Sequence, residues 1–238
     1  MTAALLTLAD SRLPAGGHTH SGGVEQAVAA GVVTDPHTLE TFLRRRLGTS
    51  GLVAAGLAAA ACRSATTVVA DPTAGPAGAA LAVLLTGLDA EADARTPSPA
   101  LRQASRQQGR GLVRVGRRAW PHRAWQALPD RPHHPVALGV AAAVGRLGAR
   151  DAATAAAYLS VTGPATAAQR LLAMDPITVA SVTARLSPDV DTVAAVVTPA
   201  PAPDGSAVGP CWLPADTDPL LDLLAEVHAD RKDRFFAS

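Results

Sequence analysis

Two apolar runs, Gly51–Cys62 and Val136–Gly145, are built mainly from alanine, glycine, valine and leucine. Side chains this small let helices approach one another closely, and alanine is the best intrinsic helix former. Aromatic residues make up 3% of the chain, so its core must rest on Ala, Leu and Val. A β-sandwich draws instead on β-branched and aromatic residues. The 238 residues are enough to bury a substantial core. The sequence therefore reads as all-α, a single domain spanning 1–238 and arranged as a bundle of about ten helices.

Charge excludes several classes of function. The net charge of +1 offers no electrostatic footprint for nucleic acid. Charged residues are 17% of the chain and hydrophobic ones 48%, a globular balance. Cys62 and Cys211 lie far apart in unlike contexts, so neither a disulfide framework nor a zinc cluster is expected. Cys62 ends an alanine run and reads as a small buried hydrophobe. No basic region precedes the first apolar residues, and both apolar runs fall short of the roughly 20 residues that span a bilayer. A cytoplasmic protein without a membrane segment is expected.

Helix signals run along the chain. Asp35-Pro36 reads as an N-cap followed by proline in the first turn, with Leu39, Phe42, Leu43 and Leu47 recurring at helical spacing. Gly48-Thr49-Ser50 reads as the end of that helix and the cap of the next, which reaches about Cys62. Asp71–Gly78 reads as a loop, and a helix follows from Ala79 to Ala92. Thr96-Pro97-Ser98-Pro99 opens another, to Ala119, carrying Arg102, Arg106, Arg110, Arg114 and Arg118 every fourth residue. Each such step overshoots a full turn by about 40°, giving one slowly spiralling basic stripe. Past a Pro- and His-rich loop, Pro121–Pro135, helices are expected over Val136–Leu147, Asp151–Val161, Ala165–Met174, Pro176–Leu186 and Pro188–Val197. Thr198–Pro214 reads as a connection, and a last helix begins near Asp218-Pro219. Strand signals are weak, at Thr66–Ala70 and Val193–Thr198.

One segment departs from this pattern: Leu13-Pro14-Ala15-Gly16-Gly17-His18-Thr19-His20-Ser21-Gly22-Gly23-Val24-Glu25. Its glycines imply positive φ or close approach to a neighbour. A phosphate cradle would need a preceding strand and a Gly-Lys-Ser/Thr ending, and neither is present. His18 and His20, with His133 and His134, are candidate metal ligands, but His-x-His alone lacks the ligand count of a closed site. Asp10, Ser11 and His20 include the residue types of a hydrolytic triad without its nucleophile elbow. Asp10 and Ser11 more simply cap or turn the backbone. At the other end, Arg231, Arg234, Phe235 and Phe236 form a tail whose aromatic pair and arginines suit an interface.

The stretch Leu5–Glu25 resembles the N-terminal signature of the urease accessory protein F (UreF) family, Leu-Leu-x-Leu-x-Asp-Ser-x-x-Pro-x-Gly-Gly-Phe-x-His-Ser-x-Gly-x-Glu. The matching positions are Leu5, Leu6, Leu8, Asp10, Ser11, Pro14, Gly16, Gly17, His20, Ser21, Gly23 and Glu25. Ser105, Gly109 and Leu112 resemble the family's Ser-x-x-x-Gly-x-x-Leu helix, and Ala156, Tyr158 and Leu159 its Ala-x-Tyr-Leu helix. Arg234, Phe236 and Ser238 are similar to its Arg-Leu-Phe-Arg-Ser terminus. His18 stands where the family has phenylalanine, Ala173-Met174-Asp175-Pro176 replaces a Pro-Leu-Gly-Gln-like segment, and Ala237 replaces the terminal arginine.

The resemblance implies a helical, non-enzymatic scaffold without a cofactor. It implies a homodimer that binds UreD (also called UreH) and recruits the GTPase UreG to deliver nickel to apo-urease. Binding residues are then expected among Asp10, Ser11, Pro14, Gly16, Gly17, His20, Ser21, Gly23 and Glu25, at Ser105, Gly109 and Tyr158, and in the tail at Arg231, Arg234, Phe235 and Phe236. The competing expectation is a small helical metal-binding protein or metal-dependent hydrolase using His18, His20, His133 and His134.

Overall fold

The computed structural model describes residues 3–10, 13–15, 17–70, 75–199 and 213–238, of which 75–77 by backbone only. Among these residues the regular elements are all helical. In order they are α1 (Ala3–Ala9), α2 (Val24–Ala29), α3 (Pro36–Arg46), α4 (Leu52–Ala70), α5 (Gly75–Ala94), α6 (Pro99–Ala119), α7 (His134–Val144), α8 (Ala149–Leu171), α9 (Pro176–Arg185), α10 (Ser187–Val196) and α11 (Pro219–Asp230). Short 3₁₀ turns cover Gly17–Thr19 and Arg123–Ala127.

Several helix starts follow from local chemistry. Asp35 accepts the Thr38 N–H at 2.8 Å, and the Thr38 hydroxyl answers the Asp35 N–H at 3.0 Å, so α3 opens on a reciprocal cap. Ser98, Asp175 and Asp218 cap α6, α9 and α11, each with proline in the first turn.

The alanine-rich runs become the centre of the fold, where α4 packs on α7 and α8. Ala55, Ala58, Ala59, Ala61, Val136, Ala137, Val140 and Ala141 are fully enclosed there. The crossing is close: a methyl at Gly139 would sit 2.6 Å from the Ala61 methyl and closer still to the Ala58 carbonyl. Cys62 is buried and free in the same layer, and burial raises its thiol pKa to about 11.

Four expectations are corrected. First, Gly48-Thr49-Ser50 does not end a helix. A π-helical turn over Leu47–Gly51 carries α3 into α4 without a break. The joined helix, Pro36–Ala70, also takes in Thr66–Ala70, read as a weak strand signal. Its length and composition suffice to cross a membrane, unlike the apolar runs taken singly, but 67% of its apolar window is buried inside the fold. Second, Asp151–Val161 and Ala165–Met174 are one helix, α8, with Pro164 inside it. Burial of Ala152, Ala156, Val161, Ala165 and Ala168 along one face outweighs the local break. Third, α5 begins at Gly75, inside the expected loop, whose residues 71–74 lie outside the described ones. Fourth, the basic stripe divides. Arg102 and Arg106 turn inward to carbonyls and carboxylates, while Arg110, Arg114 and Arg118 are exposed.

Candidate functional site

The two ends of the chain meet. After the 3₁₀ turn at Gly17–Thr19, the backbone runs through Gly22 (φ +62°) and Gly23 (φ +90°) into α2. Both glycines hold left-handed conformations that side-chain-bearing residues resist. Gly22 is also confined in space, because a Cβ there would lie 2.6 Å from the Pro164 ring. Gly17 has neither constraint, and Gly16 and Ser11 lie outside the described residues.

The tail that follows α11 folds back along this segment. The Ala237 N–H donates to the Thr19 carbonyl at 2.7 Å, and the Ser21 N–H donates to the Ser238 carbonyl at 2.5 Å. The Ser238 hydroxyl lies 2.6 Å from His20 Nδ1. Burial, reinforced by the neighbouring His18, lowers the His20 pKa to about 4, so this ring is neutral near pH 7.

Glu25 fastens the arrangement. Its side chain is 3% exposed, on the first turn of α2. Its carboxylate receives His228 Nε2 at 2.8 Å, the Phe235 N–H at 2.7 Å and the Phe236 N–H at 3.0 Å. Burial alone would raise the Glu25 pKa. The bonds from His228, Phe235 and Phe236 outweigh it and hold the pKa below the usual glutamate value. Arg231 bonds Gln26 Oε1 at 3.2 Å and Asp233 at 3.1 Å. The tail is thus held through five of its residues, Arg231, Phe235, Phe236, Ala237 and Ser238, and its two phenylalanines separate: Phe236 packs on the core, whereas Phe235 is 85% exposed. On the outer face of α11, Leu223 and Val227 are 65% and 52% exposed.

The structure therefore unites His20, Ser21, Gly23 and Glu25 with Arg231, Phe235 and Phe236. It leaves other expected residues elsewhere. Pro14 is exposed ahead of the Gly17–Thr19 turn, and Asp10 sits at the turn after α1. Tyr158 is exposed on α8 and makes none of the contacts above, and Arg234 bonds the Ala229 carbonyl. His228 is part of the clamp, and no motif marks it. Its signal was the spacing Leu221, Leu224, Ala225, His228, which sets it on the buried stripe of α11.

Ser105 and Gly109 serve a different junction. A Cβ at Gly109 would overlap the Pro132 carbonyl, so α6 and the segment entering α7 touch through bare backbone. Ser105 Oγ lies 3.0 Å from His133 Nδ1 and accepts the His134 N–H at 3.1 Å. His133 Nε2 reaches Asp93 at 2.8 Å, and the His133 backbone N–H donates to Asp89 at 2.7 Å. Arg106 bridges both carboxylates, at 2.9 Å to Asp89 and 2.6 Å to Asp93. Burial would raise the Asp93 pKa, but His133 and Arg106 outweigh it and lower it.

The four-histidine metal site is not formed. Among the described residues, the group with ligand-compatible spacing is Asp89, Asp93 and His133, and Arg106 already neutralises it. His134 is neutral near pH 7, its pKa lowered to about 4 by burial and by His20.

The UreF family model matches residues 33–187. A urease accessory protein UreF of Mycolicibacterium vanbaalenii is 50% identical, over 99% of this chain and 98% of its own length. That of a Mycobacterium species is 48% identical over 98% and 97%. The Mycobacterium tuberculosis protein of the same name is 44% identical over 99% and 98%.

Proposed function

Because the chain belongs to the UreF family of urease accessory proteins, we propose that it is a non-catalytic scaffold for nickel insertion into apo-urease. In this reading it forms a cytoplasmic homodimer, binds UreD (UreH) through the clamped tail and helps recruit the GTPase UreG. Nickel is the cargo of the assembly and not a resident cofactor of this chain.

One observation carries the reading: Phe235 is 85% exposed although its own N–H is fixed on the buried carboxylate of Glu25. A loose terminus would lose conformational freedom on binding, and this one has already lost it on folding. An exposed aromatic on a rigid support is what interface hot spots require. Leu223 and Val227 on α11 extend the apolar surface. The direct test is co-expression with UreD and UreG followed by native mass measurement. Recovery of a complex containing all three proteins supports the reading. A chain that emerges alone while UreD is folded and soluble refutes it.

A further inference from the structure

A second feature of the motif concerns Arg46, the last residue of α3. Pro164 has no N–H, so the Ser160 carbonyl four residues earlier lacks its helical donor. Arg46 Nε supplies one, at 3.1 Å. Gly22 makes the room, because a Cβ there would meet the Pro164 ring at 2.6 Å and the guanidinium carbon at 3.5 Å. The guanidinium is therefore anchored through Nε.

Its terminal nitrogens bond no acceptor among the described residues. Among the described residues the Arg46 side chain has the Ser160 carbonyl as acceptor and no carboxylate. This contrasts with Arg44, Arg45, Arg95 and Arg106, each of which is ion-paired. Burial lowers the Arg46 pKa to about 10; the side chain is half-buried, with no carboxylate at ion-pairing distance among the described residues. It lines a cavity of about 200 Å³ together with Gly22, Ser50, Ser160 and His134. The π-helical turn Leu47–Gly51 brings Ser50 to the same wall, and such turns occur often at functional sites.

The geometry points to a pocket for a small planar carboxylate, bound by the paired terminal N–H groups of Arg46 beside Ser50. A guanidinium fork matches the two oxygens of a carboxylate. The cavity lining also includes Asp216, Asp218 and Asp222, and Asp218 is already paired with Arg45. That acidic lining disfavours multiply charged anions and selects a monoanion. The inference is independent of the urease reading, since it concerns the isolated chain.

The test is calorimetric titration of the full chain with acetate, formate, phosphate and chloride at constant ionic strength. Acetate and formate are expected to saturate a single site, with phosphate weaker and chloride without effect. Arg46→Met should weaken acetate binding at least tenfold, a substitution checked for folding by circular dichroism. If loss of the Ser160 contact unfolds that variant, Ser50→Val decides, with at least threefold weakening expected from filling the wall beside the guanidinium. Failure of acetate and formate to saturate, chloride or phosphate binding as well as acetate, or undiminished binding in whichever variant folds would overturn the proposal.

Discussion

Replacing Glu25 by alanine removes the acceptor that joins α2, α11 and the tail. Three donors then lose their partner: His228 Nε2, now 2.8 Å from the carboxylate, and the N–H groups of Phe235 and Phe236, at 2.7 and 3.0 Å. Bonds to a charged acceptor are worth about 1.5–3 kcal/mol each, but they are not additive. A buried donor left without its acceptor costs about 1–3 kcal/mol, and His228 is buried. The tail should therefore undock with an opening constant raised by about two to three powers of ten, at 1.4 kcal/mol per tenfold. Native-state hydrogen exchange reads this at the Ser21 and Ala237 amides, whose acceptors are the Ser238 and Thr19 carbonyls and are untouched by the substitution. Their protection should fall by about 100-fold, or to the value of free amides if the docked tail is less stable than that. Amides in α4 and α7 should keep theirs. Unchanged protection at Ser21 and Ala237 would refute the reasoning, because it would mean that backbone pairing alone holds the tail.

Three further outcomes are expected. Acid should weaken the clamp: Glu25 has a folded pKa below the ordinary glutamate value of 4.5, so its contribution is complete above that value and is lost as pH falls through the folded one, measured by the same exchange experiment. His20 and His134, lowered from 6.5 to about 4, bind more protons unfolded than folded between those values, so global stability in urea should decline over that window as pH falls, with the histidine contribution complete below it. Arg106→Met leaves Asp89 and Asp93 without their shared cation and should cost about 3 kcal/mol, a melting decrease of roughly 6–12 °C by calorimetry.

Much of the fold is written locally. Asp35-Pro36, Ser98-Pro99 and Asp218-Pro219 mark helix starts because a capping side chain and a pre-set proline φ act within one turn. The close packing of α4 and α7 follows from their alanine and glycine content. What local signals misreport is governed by burial. Gly48-Thr49-Ser50 and Pro164 look like breaks, yet each lies in a helix whose neighbours are enclosed on the core side. Of the candidate site, the sequence marks both the Gly-Gly-rich segment and the Phe-Phe tail but not their meeting, because a contact between residues 25 and 235 leaves no local trace. Glu25 stands out only by family resemblance, and His228 only by its place on an apolar stripe. Arg46 sits within three consecutive arginines, and nothing in their order separates the one that turns inward.

The central claim is that the clamped tail presents Phe235 to UreD. Its most direct test is capture of UreD by the Phe235→Asp variant. The side chain is 85% exposed and its N–H contact to Glu25 is retained, so the melting temperature should match the wild type while UreD capture is lost. Full capture of UreD by a variant that melts like the wild type would contradict the account.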